Sequence, residues 1–395
     1  MPGPAPPAEA GGLTHLRLYN FRNYPELNLP LGPGLNVFAG ENAQGKTNLL
    51  EAVATLLLTR SPRTSTPAEL LRWGSDEAAV DAVLGRRSLS ETLALRLRRV
   101  VDASEAGPPG RESSPRISRT TTRDGHPIAP RDLLGRWPVV LFWPDDLQLV
   151  KAGPEARRRL LDVLVSQLDH AAADELIRYR RVLEQRNALL RRLHDGGGPV
   201  DQLRPFDDAL VRHGAAVQVA RTELVAELAP LAGAAMAEIS EATDSLELRY
   251  APQSGLARDG LEQVMATLGS ALARARAEEL ARGTSVVGPH RDDLEFVLNH
   301  RPARSTASQG QQRSAVLATK IAEVRLVGSR AGRLPILLLD DVLSELDAGR
   351  REHLLSALSA SGEAPQTMVT CSDDHPFGAH PARRFRVRQG TVRSE

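Results

Sequence analysis

The chain has 395 residues and a net charge of +1, with 41% hydrophobic and 25% charged residues. This is a globular composition, long enough for two or three domains. A lone cysteine, Cys371, excludes a disulfide framework and a cysteine-built zinc site and fits a reducing compartment such as the cytoplasm. No apolar run reaches the roughly 18 residues of a membrane-spanning helix, and an aromatic content of 4% argues against a single-strand binder built on stacked rings.

In chain order, residues 1–12 are rich in Pro, Ala and Gly and carry no secretory pattern, so a short disordered tail is expected there. Residues 13–39 read as strands, ending in the apolar run Leu35-Asn36-Val37-Phe38-Ala39. A helix is expected from Thr47, with Leu49, Leu50, Val53, Leu56 and Leu57 on one stripe. Residues 76–142 look mostly β, with Asp124-Gly125 as a hairpin turn and 103–118 as a mobile loop. Across 86–136 there are 11 arginines against 6 acids, either a solvated surface or a ridge facing phosphates. Leucines from Leu160 to Leu190 recur at helical spacing, Asp195-Gly196-Gly197-Gly198-Pro199 breaks the pattern, and further helices are expected over 201–239 and 261–282. These can form an antiparallel hairpin or a small bundle. After Gly283 the pattern returns to α/β: a strand at 294–298, a helix at 308–327, an unbroken apolar strand at 336–339, a helix at 346–358 and a strand at 367–370.

The chemistry sits at the junctions. Gly40-Glu41-Asn42-Ala43-Gln44-Gly45-Lys46-Thr47 matches G-x-x-x-x-G-K-[ST], between a strand and a helix. In such a loop the backbone N–H groups and the positive helix end cradle phosphates, Lys46 reaches the β- and γ-phosphates, and the Thr47 hydroxyl ligates Mg²⁺. Only Lys46, Lys151 and Lys320 are lysines among 50 basic residues, so a chance match is improbable. The apolar strand ending in Asp340-Asp341 supplies a second half: Asp340 to hold Mg²⁺ and Asp341 to polarise an attacking water. The two halves lie about 290 residues apart, which implies one sheet interrupted by a large insertion. Ser308 opens a helix with Gln309, Gly310, Gln311, Gln312 and Arg313, a second anion-binding helix start. If both starts bind the same nucleotide, they do so from different subunits.

These motifs, with Ser344-Glu345-Leu346-Asp347, resemble the Walker A, signature, Walker B and D-loop set of ABC-type ATPase heads. More closely, the chain resembles the RecF family of recombination mediators, in the SMC and Rad50 group. The pieces that carry this likeness are Phe21-Arg22-Asn23-Tyr24, Gly40 to Ala52, Gly153-Pro154 with Arg157-Arg158-Arg159, Gly288-Pro289-His290-Arg291-Asp292-Asp293, and Ser308 to Arg313. The resemblance implies an α/β ABC-type ATPase head with a P-loop mixed sheet, an antiparallel β lobe and an inserted helical lever, divided as head 13–150, insertion 151–284 and head 285–395. It implies two ATP molecules with Mg²⁺ sandwiched in an ATP-dependent homodimer, each bound by Arg22, Asn23, Gly40 to Thr47 and Asn48 of one subunit and by Ser308, Gln309, Gly310 and Gln311 of the other. It also implies duplex DNA at gaps or junctions, action with RecR and RecO in loading RecA, and weak, DNA-stimulated hydrolysis using Lys46 and Asp341.

The sequence departs from this pattern in three places. The loop expected to bring a metal-bound glutamine reads Pro144-Asp145-Asp146, with Gln148 nearby. The strand expected to end in a histidine ends Thr370-Cys371-Ser372, which leaves Thr370, the more distant His375, or no residue as γ-phosphate sensor. Asp341 stands where a glutamate is usual, one methylene shorter, which implies slow hydrolysis suited to a timed switch. His290 and Arg291 read either as a structural turn or as a DNA or interface contact. Arg157 to Arg159, at an unfavourable helix end, call for DNA phosphate or acidic groups on the head. A membrane-coupled ABC subunit remains the alternative; a phosphotransferase is disfavoured by the second helix start, and a GTPase by the missing Asn-Lys-x-Asp.

Overall fold

The structure is a computed structural model that describes residues 11–86, 89–100, 116–255, 260–359, 364–372 and 381–395. Of the tail expected at 1–12, residues 1–10 lie outside the described residues and Gly12 already opens a strand; most of the loop at 103–118 and His375 also lie outside the described residues. The chain forms two compact units, one reaching to Pro144 and resuming at Val327, the other Asp145–Leu326.

The first unit carries two sheets. One has the order β15(Thr391–Ser394)-β14(Ala382–Arg388)-β3(Leu35–Ala39)-β13(Thr367–Cys371)-β12(Ile336–Asp340)-β8(Val139–Phe142). All neighbours are parallel except the β14–β15 hairpin. The two motif strands, β3 and β12, thus flank β13, and Thr370 pairs with Phe38 on one side and Asp340 on the other. Strands buried on both faces need no polar alternation, which is why 336–339 is an unbroken apolar run ending at Asp340. The other sheet is antiparallel, β2(Tyr24–Pro30)-β1(Gly12–Phe21)-β4(Glu77–Arg86)-β5(Leu89–Val100)-β6(Arg116–Arg123)-β7(His126–Pro127). Asp124 and Gly125 both have positive φ, +50° and +81°, the signature of the expected tight hairpin. Helix α1(Lys46–Leu57) packs against strands of both sheets, and its buried set extends beyond the leucine stripe to Glu51, Ala52, Ala54 and Thr55. A single turn α2(Pro130–Leu133) precedes β8. On the arginine-rich strands, Arg96 pairs with Asp81 (2.6 Å), and Arg123 and Arg136 both pair with Glu91 (2.9 and 2.6 Å).

The second unit packs α3(Pro154–Leu168), α4(His170–His194), α5(Arg204–Ile239) and α6(Gly260–Arg282) with a three-stranded sheet, β9(Leu246–Ala251), β10(Asp293–Leu298) and β11(Arg301–Pro302). A single turn α7(Ala303–Thr306) leads into α8(Gln309–Ala331), while α9(Ala348–Ser359) belongs to the first unit. Three differences from the sequence reading stand out. The leucine series from Leu160 to Leu190 is two helices, because Asp169 leaves the helical region (φ −142°, ψ 106°) and its carboxylate caps α4 at Ala172 N. Strand β9 lies inside the stretch read as helical, and its pairing with β10 carries the unit on to Leu326, past the expected insertion end at 284. Strands β14 and β15 were not expected at all; Arg-rich alternation masked them.

The helices are joined by buried charge. Arg186 on α4 is fully buried and donates to Asp207 on α5 (2.9 Å), Glu279 on α6 (2.5 Å) and Ser285 Oγ (2.6 Å). Removing one member of such a set strands the others in low dielectric. Arg186→Met should therefore cost about 3–5 kcal/mol in equilibrium urea unfolding. Arg325→Ala, which breaks the more exposed Arg325–Glu238 pair, should cost less than about 1 kcal/mol.

Candidate nucleotide site

The loop from Gly40 to Thr47 leaves β3 with the Gly40 N–H donating to Cys371 O (3.2 Å), and two of its residues, Ala43 and Gly45, take positive φ (+64° and +113°). Its back is pinned by the β1–β2 turn. Asn23 Nδ2 donates to Gln44 O (3.1 Å) and the buried Tyr24 hydroxyl donates to Gly45 O (3.0 Å). Burial pushes the Tyr24 phenol well above its ordinary range, which keeps it a donor. A planar trans peptide points its N–H opposite its C=O. With those two carbonyls held from behind, the N–H groups of Gly45 and Lys46 face the other way.

Lys46 is buried, and its ammonium bridges the loop by donating to Gly40 O and to Glu41 O (2.9 Å). The Thr47 hydroxyl lies 2.9 Å from both carboxylate oxygens of Asp340. Thr370, fully buried on the intervening strand, donates its hydroxyl to Asp340 Oδ1 (2.7 Å) and accepts the Asp341 N–H (2.9 Å). Burial raises the Asp340 carboxyl from its ordinary value, against the pull of the two hydroxyls and of the Arg63 charge. A carboxylate and a hydroxyl are the hard oxygen donors Mg²⁺ takes, with remaining positions left to water and phosphate. No cluster of three His, Cys, Asp or Glu suited to a metal occurs among the described residues. Asp341 follows with φ +51°, and Ser344 Oγ donates to its carbonyl (2.5 Å) and its Oδ1 (3.0 Å).

The other expected residues divide. Asn23 and Asn48 brace the loop from behind, Asn48 Nδ2 donating to Asn23 Oδ1 (2.9 Å). Arg22 is taken up by the buried carboxylate of Glu51 (3.0 and 2.8 Å) and by Glu69 O (2.7 Å). Arg63 was missed: it donates to Glu51 Oε2 and Asn48 Oδ1 (both 2.9 Å) and its charge acts on Asp340. Nothing in a chain rich in arginine marks this one. Thr370, read as a possible sensor, has its hydroxyl committed to Asp340.

In the second unit, Ser308 and Gln311 close a reciprocal cap. The Gln311 N–H donates to Ser308 Oγ (3.2 Å) and the Ser308 N–H to Gln311 Oε1 (3.0 Å), with Gln311 Nε2 tied to Asp244 Oδ1 (3.0 Å). Ser308 and Gln309 are exposed. Asp146, in the turn Pro144–Gln148, is paired with buried Lys320 (3.2 Å), and Gln148 is exposed. His290 is internal: Nε2–H points to Ser285 O (3.2 Å), Nδ1 accepts from the Tyr179 hydroxyl (2.6 Å), and burial lowers its pKa to about 4. Fully buried Asp292 accepts from Gln218 Nε2 and Gln253 N (both 2.9 Å) and from Tyr250. Arg157 pairs with Asp293 (2.7 Å) of the same unit, and Arg158 donates to the main-chain Asp292 O (2.8 Å).

A family model described as an AAA domain matches residues 15–103. The chain is 42% identical over 388 residues to a DNA replication and repair protein RecF of Symbiobacterium thermophilum, covering 96% of this chain and 97% of that one. A RecF of Chloroflexus aurantiacus is 40% identical over 396 residues, covering 96% and 98%. The chain belongs to the RecF family. A solved structure of the recombination mediator RecF-ATP in the RecFOR pathway superposes with a TM-score of 0.85 at 28% identity, covering 98% of both chains. The Smc head domain of Pyrococcus furiosus matches at TM-score 0.52 and 14% identity, a likeness of fold alone. The RecF fold here is thus an SMC-like ABC-type ATPase head, and the family is one of DNA replication and repair ATPases. Among the described residues, no helix is long and apolar enough to cross a membrane.

Thr370→Val keeps the shape of the side chain but strips a donor from buried Asp340 and an acceptor from the Asp341 N–H. It should lower thermal stability by about 1–3 kcal/mol, with Thr370→Ser recovering most of the loss in the same melt.

Proposed function

We propose that the chain is an ATP-switched clamp on DNA, acting in the cytoplasm in recombinational repair. Lys46 and the N–H groups of the loop from Gly40 to Thr47 bind the β- and γ-phosphates, and Thr47 and Asp340 hold Mg²⁺. The cation supplies charge neutralisation on the phosphate oxygens. Asp341 orients and polarises the water, slowly because its carboxyl is one methylene shorter than the usual glutamate. Ser308, Gln309, Gly310 and Gln311 of a second copy close over the same triphosphate, so ATP favours the dimer by contacts that the monomer lacks. The insertion acts as a lever. The closed dimer holds duplex DNA beside a single-strand gap or at a junction, DNA stimulates hydrolysis, and RecO and RecR join it in loading RecA. The observation that carries this reading is the meeting of Lys46, Thr47 and Asp340 at the ends of two strands that flank β13. The RecF relatives supply the DNA and partner side of it.

Sedimentation with and without ATP tests the switch. The wild-type chain should dimerise only with ATP, and Lys46→Ala should lose ATP binding. Ser308→Arg should bind ATP yet stay monomeric, because an arginine at an exposed cap blocks the second phosphate contact; a dimer of that variant would sink the sandwich. Affinity for gapped DNA, measured by filter binding, should fall about tenfold or more between 50 and 200 mM salt, as phosphate contacts demand. A flat salt profile would count against a clamp on DNA.

A further inference from the structure

Gln44, in the middle of the P-loop, is gripped by a part of the chain almost 350 residues away. The β14–β15 hairpin turns at Gln389 and Gly390, both with positive φ (+47° and +73°). Its two consecutive N–H groups address one residue. Gln389 N–H donates to Gln44 Oε1 (2.8 Å) and Gly390 N–H donates to Gln44 O (3.1 Å). That carbonyl also accepts from Asn23 Nδ2 (3.1 Å), and Gln44 Nε2 turns back to Asn42 O (3.4 Å). The fit is close at the backbone level. A Cβ on Gly390 would lie 2.3 Å from Asn23 O, and one on Gly40 would lie 2.4 Å from Val387 O in β14. Main-chain atoms cannot move aside as a side-chain rotamer can, so both positions demand glycine.

We propose that Gln44 and the Gln389–Gly390 turn form a clamp that sets the P-loop in its phosphate-binding shape. This rests on the nucleotide reading above and adds to it. Gln44 is then a positioning residue whose side chain faces the hairpin and not the nucleotide, and the last hairpin is part of the nucleotide site. The mechanism is pre-organisation. Gln44 C=O and Gly45 N–H belong to one planar peptide, so fixing the carbonyl from behind aims the N–H forward. A loop with Ala43 and Gly45 in the left-handed region has other conformations open to it, and ordering it at the moment of binding weakens affinity.

The test is hydrogen–deuterium exchange of the P-loop amides in the full chain without nucleotide, alongside ATP titration with Mg²⁺. Gln44→Ala should speed exchange of the loop amides about tenfold and weaken ATP about fivefold, with the melting temperature close to wild type. Gln44→Glu keeps an oxygen acceptor for the Gln389 N–H and should restore slow exchange. Glu395→Ala removes the acceptor of the Arg386–Glu395 pair (2.8 Å) at the far end of the hairpin and should leave both readouts at wild type. Gly390→Ala should follow Gln44→Ala; should it fail to fold, Gln44→Ala decides. Wild-type exchange or wild-type ATP affinity in Gln44→Ala overturns the clamp. A wild-type chain that binds no ATP overturns the nucleotide reading and the clamp's purpose together, and the exchange measured without nucleotide tells the two failures apart.

Discussion

Asp340 is a carboxylate taken out of water at the end of a strand buried on both faces. Such a group is tolerable only when its oxygens are answered. Two hydroxyls answer here, Thr370 from the neighbouring strand and Thr47 from the first turn of α1. The second contact is possible because β3, β13 and β12 lie side by side and parallel, so that the loop after β3 and the end of β12 open on the same edge of the sheet. The candidate nucleotide site of the first unit depends on that adjacency. It places a helix start, a lysine and an acid within one small volume, with charge of both signs.

The loop itself is shaped from outside. One of its own residues, Ala43, lies in the left-handed region, a conformation that a non-glycine residue holds only when its surroundings impose it. The surroundings are side chains and main chain from three separate segments: Asn23 and Tyr24, Asn48, and the hairpin at Gln389. Glu51 adds a further layer. Its buried carboxylate gathers Arg22, Arg63 and Ser61, tying the turn after β1 to the segment after α1. Arg22 therefore serves the loop at one remove, through the helix that follows it.

In the second unit, polar groups in the interior replace part of what an apolar core would supply. Arg186 links three helices, Arg221 joins Asp162 on α3 to the Pro289 carbonyl, and Asp292 draws together Gln218, Gln253 and Tyr250. Fully answered, such networks fix one arrangement, since any slip leaves a buried charge unpaired. That explains why Gly288 to Asp293 is a dense motif without an exposed role for His290: the histidine is held neutral between Tyr179 and Ser285, and the acids on either side of the strand start tie down Gln218 and Arg157.

The sequence by itself determined what depends on short stretches. The loop at Gly40 to Thr47 between a strand and a helix, the apolar strand to Asp340, the helix start near Ser308 and the turn at Asp124-Gly125 were all legible, because each is set by neighbours within a few residues. The break at Asp169 was equally local and was hidden only by leucines that continue on both sides of it. Tertiary structure decided the rest. Strand order brought Thr370 to Asp340, and the pairing of β9 with β10 carried the second unit on to Leu326. Which arginines face acids, and which residues hold the loop from behind, also emerged only in the fold. These are contacts between segments from tens to hundreds of residues apart, where an arginine or a glutamine looks like any other until a partner from elsewhere in the chain lies against it.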